Sequence, residues 1–322
     1  MTTRSQVLEA LRSAGDAGLS GQEIAARLGV SRVAVSKHVA VLRNAGYEIQ
    51  AAPGVGYRLV GAPDLPLPDE EVAHRLTSAL WTELAGGAET GSTNDDARVL
   101  ARAGAVEGSV VLAARQRTGR GRMGRTWESP TGGVYLSAVL RPAVAPTQVA
   151  SLALAVALGV VVGLERLGVQ PQLKWPNDVL LGGRKLAGVL LEMSAEADAV
   201  QWVVAGVGLN VHRPAPGAAG ALEAAYLDDA VTQPRLAEVA AAELDGIADT
   251  YAAWRTGGFS AVRAAYEARF ALTGADVCVS DLTGAVRASG IVEGVDDEGR
   301  LLLRGADGTI AAVVAGEVTL RR

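Results

Sequence analysis

The sequence has a single cysteine, Cys278, in 322 residues. No intramolecular disulfide can form, and a reducing, cytoplasmic compartment fits. Cys278 sits in the strand-like stretch ADVCVS and is expected to be a small buried hydrophobe. Aromatic residues make up 4% of the chain, so aliphatic side chains and alanine must fill the core. No apolar run reaches the ~20 residues of a membrane span. The longest, 149–164, reads as a buried helix. The opening MTTRSQVLEALRSAG is amphipathic, with no apolar run behind a basic end, so it is not a signal peptide. A Walker A pattern is absent. Positive charge is also short: the formal net charge of −5 excludes a protein that coats nucleic acid over its whole surface. What remains is ordinary globular composition, 49% hydrophobic and 20% charged, at a length suited to two or three domains.

The charge is unevenly spread. Residues 1–60 carry +3, which leaves −8 for the rest, the pattern of a DNA-reading head on an acidic body. Val7, Leu8 and Leu11 recur at helical spacing. Ser20 can cap a helix carrying Ile24, Ala25 and Leu28; a turn with Gly29 follows. Ser31 then caps a second helix, with Val33, Val35, Val39 and Leu42 expected inward and a stop at Gly46. Two helices joined this way form a helix-turn-helix. Ser31, Arg32, Ser36, Lys37, His38 and Arg43 are its candidate DNA contacts. Two β-like runs around Pro53-Gly54-Val55-Gly56 add a hairpin, so the module reads as a winged helix; a helical protein-interaction module is the alternative. The proline-rich stretch GAPDLPLPDEE (61–71) is expected to be a semi-extended spacer.

From residue 70 to about 270, strands are expected at 108–116, 132–142, 184–196 and 199–212, with helices at 92–104, 145–168 and 236–257. One sheet covered by helices is the natural architecture. Within it, TGRGRMGR (118–125) satisfies the letter of the dinucleotide fingerprint. That fingerprint needs a helix opening at its third glycine. Here RTWESPTGGVYLSAV follows, with Pro130, two more glycines and a strand, so the dinucleotide reading fails. Residues 115–125 hold five arginines and no acid. Guanidinium groups bind phosphate in a bidentate manner, and glycines let backbone approach a ligand closely. The loop alone leaves three readings open: a solvated basic surface, a second nucleic-acid contact, or a lid over an anionic nucleotide.

Other motifs favour the lid. Lys174, Asp178 and Lys185 are charges in the apolar setting of LKWPNDVLL and GGRKLAGVLLE; a purely structural Asp178–Lys185 ion pair is the alternative. GVGLNV (206–211) reads as a close-approach site, and Ser92 and Thr93 stand at a helix start where anions bind.

Taken in order, GSTN, RQRTGRGRMGRTW, KWPNDVLL, RKLAGVLLE and GVGLNV resemble the biotin–protein ligases. With the winged helix in front, the chain is similar to bifunctional members that also repress the biotin operon. The resemblance covers essentially the whole chain. It implies an α+β multidomain fold: a winged helix-turn-helix (1–62), a central class II synthetase-like mixed sheet with helices (63–270) and a small C-terminal β-barrel (271–322). The alternating runs and Asp/Gly turns after residue 275 suit such a barrel. The implied activity joins biotin to ATP with Mg²⁺, then transfers biotin from the adenylate to a lysine of a biotin carboxyl carrier protein. Operator DNA and an adenylate-bound homodimer are the implied partners, with no membrane.

By position, Ser92, Thr93 and Gln116 would hydrogen-bond the ureido ring of biotin. Gly119, Arg120, Gly121, Arg122, Met123, Gly124 and Arg125 would order over the ligand, with Arg122 at the phosphate. Lys185 would lie at the reacting carboxylate and Asp178 near the incoming lysine. Asn94, Trp127, Gly188, Gly206 and Asn210 complete the implied pocket. The stretch HRPAPGAAGALEAAYLDD departs from the family pattern in being rich in Ala, Gly and Pro. Tyr226 stands roughly where the family often has a tryptophan stacked on adenine. A sensor without catalysis and a lipoate or octanoate ligase are the competing readings.

Overall fold

The computed structural model describes residues 3–52, 55–64, 67–196, 198–214, 223–281 and 283–321. Pro53-Gly54 at the hairpin tip, Pro66 of the linker and most of the Ala/Gly/Pro-rich stretch after His212 lie outside these residues.

The N-terminal unit comprises α1 (Thr3–Ala14), α2 (Gly21–Leu28), α3 (Arg32–Asn44) and a hairpin of β1 (Glu48–Ala52) and β2 (Gly56–Gly61). Its boundaries follow local chemistry. The Ser20 hydroxyl accepts the Glu23 amide at 3.1 Å while Glu23 reaches back to the Ser20 amide at 2.8 Å, a reciprocal cap. The Ser31 hydroxyl accepts the Ala34 amide. Val7, Leu8, Leu11, Ile24, Val35, Val39 and Leu42 form a core separate from that of the body. Val33 does not join it; it is 65% exposed. Val35, Val39 and Leu42 follow i, i+4, i+7, and a residue two places earlier falls on the opposite face.

The expected spacer is docked rather than free. Leu67 is fully buried in the central core, and α4 (Asp69–Arg75) begins inside the stretch. Asp64 accepts the Leu236 amide at 2.8 Å. Arg4 pairs with Glu70, and Arg12 with the buried Glu71, so α1 is fastened to α4.

The body is built on seven strands: β3 (Glu83–Gly87), β4 (Ser109–Ala113), β5 (Val134–Leu140), β6 (Gln172–Lys174), β7 (Asp178–Leu181), β8 (Arg184–Glu196) and β9 (Ala199–Leu209). Their order is β3-β4-β5-β9-β8-β7-β6; only β3 and β4 run parallel. Both faces are covered at the centre of the sheet, which is why β4, β5 and β9 read as nearly continuous apolar runs. On one face, Val111, Val139, Trp202 and Val204 meet Ala97 and Ala101 of α5 (Thr93–Arg102). On the other, Val110, Leu112, Ala138, Val203 and Ala205 pack with α6 (Val149–Arg166) and α7 (Leu236–Gly257). The stretch Pro146–Arg166 is long and apolar enough to cross a membrane by length and composition, but it is mostly buried within the fold. Gly163 lets the backbones of α6 and α7 touch: a Cβ there would lie 2.2 Å from the Ala242 carbonyl.

After α8 (Ser260–Glu267), five antiparallel strands follow: β10 (Asp276–Ser280), β11 (Val286–Val295), β12 (Leu301–Arg304), β13 (Ile310–Val313) and β14 (Glu317–Leu320). Their order, β13-β12-β11-β10-β14, leaves β13 and β14 as edges. Val277, Val279, Leu303 and Val318 share the core of the body. Cys278 is half-buried rather than buried, because the pleat sends Val277 and Val279 inward on either side of it.

Candidate functional site

A cleft opens where β8 and β9, the start of α5, the arginine–glycine loop and β14 converge. Its floor is made by missing side chains. A Cβ on Gly206 would meet Asn94 Oδ1 at 1.8 Å, and one on Gly208 would meet Trp127 Nε1 at 2.4 Å. The paired position on β8, Gly188, leaves room for the same indole and for the Lys185 chain.

One end of the cleft is polar and neutral. Gln116 Oε1 accepts the Thr93 amide at 2.9 Å, and Gln116 Nε2 donates to the Ser129 hydroxyl at 2.9 Å. Ser92 caps α5 without a side-chain cap bond, so its hydroxyl stays available at the cleft wall. Ser129 and Ser137, two serines that no motif marked, hold this end from behind.

The other end is charged. Lys185 Nζ lies 2.7 Å from Asp178 Oδ1 and 5.0 Å from the centre of the Trp127 ring. Asp178 opens β7 directly after the Trp175–Pro176 cis peptide and Asn177. Arg122 donates to Asn177 Oδ1 at 2.8 Å, and Asn177 is fixed by donating to the Val189 carbonyl at 2.7 Å. Burial pulls the Arg122 guanidinium below its ordinary value, with Asp178 and Glu317 opposing.

The three arginines of TGRGRMGR (118–125) each tie the loop to the body. Arg120 pairs with Glu192 and Asp95, Arg122 with Asn177, and Arg125 with Glu317 of β14. The hydrogen bond from Arg125 holds the Glu317 carboxyl below its usual range. Arg122–Gly124 form a single 3₁₀ turn, with Met123 in the left-handed region at φ 61. No helix follows the third glycine; the chain enters β5.

Most of the residues singled out from the sequence line this one cleft: Ser92, Thr93, Asn94, Gln116, Arg120, Gly121, Arg122, Met123, Arg125, Trp127, Asp178, Lys185, Gly188 and Gly206. Gly119, Gly124 and Asn210 do not. Gly119 is packed against Ser129 and the Trp127 carbonyl, and Asn210 accepts the Leu227 amide and donates to the Ala225 carbonyl. Tyr226 is also outside the lining; its ring is buried beneath the Arg213 guanidinium, 4.6 Å away. Lys174, whose charge stood out in the sequence without a role being assigned to it, lines the cleft too, and Trp175, Asn177 and Glu317 line it without having been singled out. Glu317 lies far along the chain, in a segment that reads only as sheet.

On the N-terminal unit, Ser31, Arg32, Ser36 and Lys37 are exposed along α3, and His38 is half-buried. Arg43 is committed elsewhere: its Nε and Nη2 donate to the Ile49 carbonyl at 2.8 and 2.6 Å, tying α3 to the hairpin.

Three family models match in sequence order: an HTH domain over residues 3–58, the biotin/lipoate A/B protein ligase family over 88–210, and a biotin protein ligase C-terminal domain over 279–321. A bifunctional ligase/repressor BirA of Bacillus subtilis (strain 168) is 35% identical over 332 residues, covering 99% of each chain. A biotin–[acetyl-CoA-carboxylase] ligase of Paracoccus denitrificans is 42% identical over 235 residues, 69% of this chain and 94% of its own. A solved biotin protein ligase from Aquifex aeolicus, in complex with biotin and ATP, matches with a TM-score of 0.64 at 28% identity, covering 75% of this chain and 100% of its own. With likeness over its whole length and three matched segments in order, the chain belongs to the biotin/lipoate A/B protein ligase family.

Proposed function

We propose that the chain is a biotin–protein ligase that forms biotinyl-5′-AMP from biotin and ATP and passes the biotinyl group to a lysine of a biotin carboxyl carrier protein. We infer that it also represses biotin genes through its winged helix. The observation that carries the reading is the division of one cleft into a neutral polar end and a cationic end. Thr93 and Gln116 suit a cyclic urea, and Lys185 and Arg122 suit a carboxylate meeting a phosphate.

The biotin carboxylate is ionised at neutral pH, so the first step needs no base. A carboxylate oxygen attacks the α-phosphorus and pyrophosphate leaves. The obstacle is negative charge meeting negative charge, and positioned cations lower it. Lys185 faces the reacting oxygens, and Arg122, held by Asn177, faces the phosphate. Trp127, the aromatic ring over Gly208, offers adenine a stacking face where Tyr226 does not.

Among the described residues no cluster of His, Cys, Asp or Glu could hold a metal ion by itself. Mg²⁺ would arrive on the ATP phosphates, with Asp178 the carboxylate nearest Lys185 able to meet it, and would screen their charge. In the second step the acceptor amine attacks the acyl carbon, AMP leaves, and the amine proton passes to Asp178. The adenylate hydrolyses in water, and the tethered loop supports a closed cleft.

This reading includes a division at 1–62, 63–270 and 271–322, a cytoplasmic location, and a homodimer formed with adenylate bound. Incubation of the full chain with ATP, labelled biotin and a carrier protein should label the carrier. Label on a lipoyl domain with lipoate instead would favour a lipoate ligase, and adenylate-dependent DNA binding with no label transfer would favour a sensor without catalysis.

A further inference from the structure

Behind the neutral end of the cleft runs a buried chain of polar groups. Ser137 on β5 is fully buried, and Thr93 and Asn94 nearly so. The Ser137 hydroxyl lies 2.6 Å from Asn94 Oδ1 and 2.8 Å from the Thr93 hydroxyl. Asn94 Nδ2 donates to Glu192 at 3.0 Å, and Glu192 is paired with Arg98 and Arg120.

The direction of every hydrogen in this chain follows from its end. An ion-paired carboxylate only accepts, so the Asn94 amide nitrogen must face Glu192 and its oxygen must face Ser137. That oxygen also only accepts, so at 2.6 Å the single Ser137 hydrogen belongs to it. The Ser137 oxygen, 2.8 Å from Thr93, must then receive the Thr93 hydrogen. Gln116 Oε1 lies farther, at 3.1 Å, and sending the hydrogen there would leave the two hydroxyl oxygens 2.8 Å apart with no hydrogen between them. The Thr93 oxygen, having given its hydrogen to Ser137, can only accept from a ligand in the cleft it lines.

We infer that Ser137, Asn94 and Glu192 form a polarity relay that fixes Thr93 as a hydrogen-bond acceptor. The site thereby selects a ligand presenting an N–H at that point. Ser137 and Glu192 are positioning residues that act through Thr93. The inference rests on biotin being the ligand, whose ring supplies N–H groups. It also gives a reason for Gly206, whose missing Cβ lets Asn94 Oδ1 lie against the strand.

The test compares biotin with the two cyclic carbamate analogues in which one ring N–H is replaced by oxygen, using binding and steady-state kinetics on the full chain. The natural protein should reject one analogue by about five- to 150-fold, the cost of leaving two buried acceptors face to face. In Ser137→Ala, and in Glu192→Gln, whose amide can donate and reverse the relay, this rejection should shrink to within about threefold. The KM for biotin should rise while kcat changes little. Rejection that persists in both variants, an equal loss for all three ligands, or an absence of rejection in the natural protein would overturn the relay. Should Ser137→Ala fail to fold by thermal melting, Glu192→Gln decides. Failure of the natural protein to bind biotin at all would instead refute the proposed function.

Discussion

Single atoms decide much at the cleft. Alanine at Gly206 puts a carbon 1.8 Å from Asn94 Oδ1, and an overpacked site of this kind costs about 1–3 kcal/mol. Gly206→Ala should therefore weaken biotin binding measured by titration, with most of the melting temperature retained. Arg122→Gly removes a guanidinium held by Asn177 at the cationic end. A hydrogen bond to a charged group is worth ~1.5–3 kcal/mol. Escape of biotinyl-AMP should quicken about tenfold to a hundredfold by filter binding; an unchanged rate would remove Arg122 from the phosphate. Such residues were legible where the type itself is unusual. Arginines among glycines, and charges such as Asp178 and Lys185 between apolar runs, stand out in any reading. Ser137 and Ser129 did not, because a serine within a strand or loop carries no mark of the partner it will meet. Asn210 reads like a pocket residue because it follows two glycines, yet its amide is spent on the segment at Ala225.

Among the elements, the helix pair α6–α7 carries an unusual group. Glu243 is fully buried, neither carboxyl oxygen has a hydrogen-bond partner, and burial pushes it well above its usual range. An acid raised on folding withdraws stability once the pH passes its unfolded value, and withdraws more as pH rises towards the folded value. Glu243→Leu should thus stabilise the protein by on the order of 1–3 kcal/mol at pH 8 and much less at pH 4.5, by denaturant melts. Equal effects at both would mean the carboxyl is not neutral in the fold. The long elements were legible in outline: β9 is an apolar run, β8 has one at its centre, LAGVLL, and α7 is long and apolar on its inner face. The strands β3, β6 and β7 were not, since ELAGG has little apolar content and QLK and DVLL are too short to show a period. The linker misled for a different reason. Its prolines read as a spacer, but Leu67 and Val72 are anchored in the core of the body.

For the molecule as a whole, the pattern is a separate core in the N-terminal unit, fastened through Arg4 and Arg12 to α4, and one shared core beneath the cleft and the C-terminal sheet. Removal of residues 1–60 should abolish retardation of a biotin-operon fragment while biotin transfer persists; a truncated chain that still shifts the fragment would deny the winged helix its role. The C-terminal sheet is not dispensable in the same way. It supplies Glu317, which grips the loop through Arg125, and Gly299, whose carbonyl accepts from the Trp175 indole at 3.0 Å. The most direct measurement of the central claim is exchange of labelled pyrophosphate into ATP by the purified full chain, with and without biotin. Exchange should require biotin and fall on the order of a hundredfold to a thousandfold in Lys185→Ala with the fold intact. Exchange that ignores biotin, or that survives in Lys185→Ala at the natural rate, would contradict adenylate formation at this cleft.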